Sequence, residues 1–251
     1  MSTETATTAT TGTPNGEMHV KRAEVEAVLV KAINKFTTLS DVGYAGHKVH
    51  KTDKGAGVVI RTGESGDGAP VPYFLCSGTI RPLRAQAVVD DLMVGNLRRH
   101  EWCPAWDDSR AVEAWDAESA ELRALLGARP RVRVYLERTK PMVGGLISSR
   151  CFVFAQATWE AAGRVWVALA SVDALLEGAL PPDYAALPHG TMFVSGTVAQ
   201  DRPDGAGCDV SSLVQTVAGG AIPNWAVTKG VSSELTSFFT LVNKVFVSDQ
   251  K

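Results

Sequence analysis

The order of hydrophobic patterns along the chain predicts an α+β fold in which a curved antiparallel sheet wraps a long C-terminal helix. Three observations carry this reading. An amphipathic helix opens the patterned part of the chain, and a succession of segments with a hydrophobic period of two follows it. A final stripe, Val227, Val231, Leu235, Phe238, Val242 and Val245, then recurs at spacings of three and four. No internal repeat breaks this order, so residues 17–248 read as one domain. Residues 1–16 read as a disordered, Thr-rich tail.

The first helix is predicted from Val25, Val28, Leu29, Ala32, Ile33 and Phe36, with lysines and a glutamate around them and Gly43 and Gly46 closing the element. Short strands are expected at 57–61 and 71–79, joined by the glycine-rich loop GESGDGAP. A phosphate cradle would need a helix directly after such a loop, and none follows. A second amphipathic helix is expected over 83–97, with Ala85, Val88, Val89 and Leu92 on one face. Residues 110–127 hold either a strand or a short helical insertion.

Beyond Pro130 the period becomes two, Val132, Val134 and Leu136 alternating with Arg131, Arg133, Tyr135 and Glu137. Strands at 150–158, 164–172, 191–199 and 208–217 follow, two pairs of them linked by short turns, as in an antiparallel meander. The stretch 173–190 contains Pro181, Pro182 and Pro188 and reads as a surface loop. Pro223 stands where a first-turn proline starts the last helix.

Composition excludes several classes. Hydrophobic residues are 45% and charged residues 21%, and the net charge is −2, so no strong field draws nucleic acid to the chain. The four scattered cysteines form no CxxC pair and fit free thiols in a reducing compartment. No run reaches the length of a membrane span. The N-terminal stretch has neither an apolar segment nor arginine, which points to a cytoplasmic protein. His47 and His50 lack neighbouring ligands at metal spacing, and no GxSxG elbow is present, since Ser195-Gly196 lies mid-strand. No cofactor is expected.

Three stretches carry a resemblance: RRHEWCPAW at 98–106, PMVGGLISSRCFVF at 141–154 and VAGGAIPNWAVTKGV at 217–231. In order, with a sheet between them, they resemble the START lipid-transfer domains, and the match spans 17–247. The resemblance implies the helix-grip fold and a cavity between the sheet and the C-terminal helix that holds one lipid, a sterol or a phospholipid. It also implies transient contact with a membrane, a monomer and no chemistry on the ligand. Burying about 400 Å² of apolar ligand surface would give about 10 kcal/mol before entropic costs. An enzyme on the same scaffold and a ligand-gated interaction module are the alternatives.

In sterol-binding members of the family an acid and a base nineteen positions later pair near the ligand hydroxyl. Those positions are Glu137 and Gln156 here, so the acid is kept and the base is an amide. Alternation alone turns Glu137 to solvent, whereas a bulge near Pro141 turns it to the cavity. Phe152, Phe154 and Gln156 share one strand face and are expected to line the cavity. Tyr135 joins Glu137 on its face. Leu235, Phe238 and Val242 are expected to face the ligand from the lid helix, and Trp159 to mark the tunnel mouth. Two departures stand out: Cys151 and Val217 occupy positions where the family has aspartates, which removes the expected acidic partners of Arg150.

Overall fold

A computed structural model describes residues 18–248 apart from 42, 65, 67, 82, 91–98, 128–129, 221 and 223. The expected tail, the end of the helix predicted over 83–97 with Leu92, and Pro223 lie outside the described residues. The elements run β1 (His19–Val20), α1 (Arg22–Leu39), β2 (Lys48–Asp53), β3 (Val58–Gly63) and β4 (Tyr73–Ile80). Next come α2 (Ala85–Ala87), α3 (Arg99–Trp102), β5 (Trp106–Asp116), α4 (Ala120–Leu126), β6 (Arg131–Thr139), β7 (Cys151–Ala161) and β8 (Arg164–Ser171). The chain closes with β9 (Leu176–Glu177), α5 (Pro182–Ala185), β10 (Thr191–Asp201), β11 (Cys208–Val217) and α6 (Asn224–Ser248).

Nine of the described strands form one antiparallel sheet, in the order β2-β3-β4-β11-β10-β8-β7-β6-β5, while β1 and β9 pair separately. With α6 laid against its concave side, this is the helix-grip fold. The meander β5 to β8 is local in sequence. The pairing of β4 with β11, Cys76 opposite Ser212, joins the first strands to the last.

Both faces of the sheet are covered, and each has its own core. On the convex side α1 buries Val25, Leu29, Ile33 and Phe36 against Val132, Val134, Leu136, Val153 and Ala155. On the concave side α6 buries Leu235, Phe238, Phe239 and Val242 with Val58, Ile60, Phe74 and Cys76. At Gly78 an added Cβ would stand 2.9 Å from the Phe239 ring, so the missing side chain lets α6 lie close on β4.

Four details add to the sequence reading. Within the described part of the helix expected over 83–97, α2 passes directly into a wider helical turn at 88–90. Residues 110–127 hold both alternatives, the end of β5 and then α4. Strand β2 was not anticipated, because KVHKTD is an exposed edge and lacks an apolar alternation. The 173–190 loop contains β9 and α5 as well as irregular backbone.

Candidate lipid cavity

Between the concave face and α6 lies a cavity of about 280 Å³, just below the roughly 300–1,000 Å³ usual for ligand pockets. Period-two alternation selects its wall. Glu137 and Thr139 come from β6, Phe152, Phe154 and Gln156 from β7, and Val167 and Leu169 from β8. Ser195 and Thr197 come from β10, and Ser212, Val214 and Thr216 from β11. A register shift between Met192 and Val194 brings Met192 onto the same face as Ser195. Ser212 to Ala218 line the space over about 20 Å of chain. Val227, Val231, Leu235 and Phe238 close it from α6, and Met142 and Ile147 from the turn before β7.

Glu137 is buried and lines this cavity. Its partner is Arg99 of α3, whose Nη2 donates to Oε1 at 3.0 Å while Nη1 stands 2.6 Å from Oε2. Glu137 thus has a cationic partner, drawn from a different element. Burial raises the Glu137 pKa, and Arg99 opposes the rise. Burial disfavours the Arg99 charge, but Glu137 and Cys103 outweigh that and raise its pKa. Glu234 of α6 also lines the cavity within the field of Arg99; burial raises its pKa. The Arg99 charge thus acts on two carboxylates, one from the sheet and one from the helix. Gln156 is 2% exposed, and among the described residues its Nε2 has no hydrogen-bond acceptor; nor does Trp102 Nε1. Both line the cavity. An unpaired buried donor is costly, so these N–H groups favour a ligand carrying an acceptor.

Arg150 keeps its place without an aspartate. Its guanidinium donates to the carbonyls of Ala218, Ser148 (2.9 Å) and Ser149 (3.1 Å) and to Ser148 Oγ. The main chain beside Val217 thus supplies what the missing side chains do not. Gly219 holds this lead-in to α6 tight: its φ is +72°, and a Cβ there would stand 2.1 Å from the His189 carbonyl oxygen.

Of the residues expected from the sequence, Glu137, Gln156, Phe152, Phe154, Leu235 and Phe238 come together around the cavity. Three do not. Trp159 lies within β7, two residues short of its end, and points to the convex face. There it stacks on Trp166, ring centroids 5.6 Å apart, so it does not mark a mouth. Tyr135 reaches the wall only through Phe154, against which its ring packs at 5.8 Å. Val242, one turn beyond Phe238, is fully buried in the packed core between α6 and the sheet. Alternation alone missed Arg99, Glu234 and the hydroxyl residues of β10 and β11. Glu234 was legible in part, since it falls one turn before Phe238 on the inner stripe.

A family model described as the START domain matches residues 77–245. The fold is similar to human StAR-related lipid transfer protein 5, with a TM-score of 0.71 and 16% identity over 91% of this chain and 99% of that one. Human STARD10 gives 0.62 and 16% over 86% and 80%. A STAR-related lipid transfer protein from Xanthomonas axonopodis gives 0.57 and 18% over 79% and 97%. No curated protein sequence matches the chain. With the family match covering most of its length, on a helix-grip fold with a space between sheet and last helix, the chain belongs to the START domain family.

Proposed function

We propose that the protein encloses one sterol or phospholipid in this cavity and carries it through the cytoplasm as a monomer, without altering it. The largely apolar space beneath α6 carries the reading, because its wall is the concave core left unfilled. The polar group at one side, Glu137 with Arg99 and Glu234, together with the Nε2 of Gln156, serves the ligand's polar head. The helix α6 acts as the lid, opening while the protein touches a membrane.

Chemistry on the ligand is the weaker reading. Glu137, the acid an enzyme would use, is engaged by both arms of Arg99. Burial raises the thiol of Cys103, the cysteine that lines the cavity, and Arg99 only partly opposes the rise, which keeps the thiol protonated and poorly nucleophilic.

Lipids co-purifying with the protein, identified by native mass spectrometry, test the proposal, followed by transfer of that lipid between vesicles. Filling the space with Leu169→Trp is expected to abolish the bound lipid and the transfer while the far-ultraviolet circular dichroism stays unchanged. Undiminished lipid loading in that variant, or no lipid in the wild type, would overturn the cavity assignment.

A further inference from the structure

The outer side of α6 bears a charge pattern unlike that of the chain as a whole. A groove between α6 and the edge strand β2 is lined by His50, Lys51, Trp225, Lys229, Ser232 and Thr236, among others. Among the described residues two lysines line it and no carboxylate does, in a protein whose net charge is −2. Exposed Lys48 lies on the same strand, and Lys51 Nζ reaches Thr236 Oγ1 across the groove at 3.4 Å. The acid at the end of β2, Asp53, accepts a hydrogen bond from the Ala56 N–H. Trp225 is 60% exposed, a large apolar surface left in water at the first turn of the lid. The lysines of β2 also discourage pairing of this edge with a second copy of the chain.

We propose that the β2–α6 face docks on the anionic surface of a lipid bilayer, with Lys51 and Lys229 against the headgroup charge and Trp225 at headgroup depth. Charge complementarity selects this occupant, and tryptophan prefers the membrane interface. The small hydroxyl side chains along α6 let headgroups approach closely. The same helix turns Val231, Leu235 and Phe238 to the cavity, so a bilayer engaging its outer side acts directly on the lid. The docking rests on the lipid-carrier reading for its purpose, yet it is measured independently of cavity loading.

Sedimentation with vesicles of phosphatidylcholine alone, and with vesicles enriched in phosphatidylserine, tests the proposal. The wild type is expected to prefer the anionic vesicles and to lose that preference as salt rises. Each lysine near such a surface contributes about fivefold, so K51Q with K229Q should weaken binding roughly 25-fold. The W225F variant reports the ring directly: vesicles should blue-shift wild-type tryptophan emission and leave the variant's nearly unshifted. Thermal unfolding of each variant checks that these exposed substitutions leave the fold intact. Equal binding to both vesicle types, or unchanged binding in the variants, overturns the docking face. A protein loaded with lipid that binds no vesicle overturns it too while leaving the carrier reading intact; vesicle binding with an empty cavity does the reverse.

Discussion

Glu137 shows how a single side chain can mislead when only one face of a strand is considered. Alternation with Val132, Val134 and Leu136 sends it away from the first core, and a one-sided sheet would leave it in water. Here the opposite face is covered as well, so the residue lands in the second interior beside Arg99. Truncating one partner of such a pair leaves the other charge buried alone. Arg99→Ala is therefore expected to lower stability by about 3 kcal/mol, since Arg99 keeps some solvent contact. The double substitution R99L/E137L should recover most of that loss. Urea denaturation of the three proteins measures both effects, and a single variant as stable as the wild type would show the pair to be idle.

Among the elements, α6 depends on close approach to β4. Gly78→Val would drive methyl groups into Phe239, and the neighbouring Val58 side chain stands 3.2 Å from the added Cβ position, leaving no slack. Overpacking of this kind costs about 1–3 kcal/mol. Because the strain falls on the lid, bound lipid should also exchange faster, which a vesicle-transfer time course would reveal; destabilisation with unchanged exchange would separate α6 from the gate. On the convex side Glu26 of α1 accepts from Trp115 Nε1 (2.8 Å) and from the Glu118 and Ser119 N–H groups (2.9 and 2.7 Å). It thereby ties α1 to the start of α4, where Ser119 is the N-cap.

For the molecule as a whole, these buried carboxylates respond to pH with opposite signs. Burial alone would raise the Glu26 pKa, but its hydrogen bonds outweigh burial and hold it below the usual range. Its stabilising contribution is present above the unfolded value, about 4.3, and is lost as pH falls through the lower folded value. Glu137 and Glu234 have raised values, so the folded state gains from their protonation on acidification and is disfavoured as pH rises through them. The stability gap between wild type and Glu26→Gln should therefore shrink as pH drops below about 4.3, followed by urea midpoints across that range. A gap that is constant or widens in acid would contradict the hydrogen-bonded role of Glu26.

The strands β6, β7, β8, β10 and β11, α1 and α6 were legible because each carries its own hydrophobic period, and a period needs no partner to be read. The cavity-facing set on β7 followed from the same alternation. The edge strand β2 and the position of Trp159 were not legible, since an exposed edge has no apolar face and the end of β7 carries no turn signal before Ala162-Gly163. The amino-acid sequence by itself determined the α+β order, the two-faced strands and the apolar stripe of the last helix, all local consequences of side-chain spacing. Only the tertiary structure decided that β4 pairs with β11, that Arg99 meets Glu137, and that a space remains under α6. Those are contacts between residues distant along the chain, fixed by how two covered faces of one sheet pack, and no local pattern encodes them.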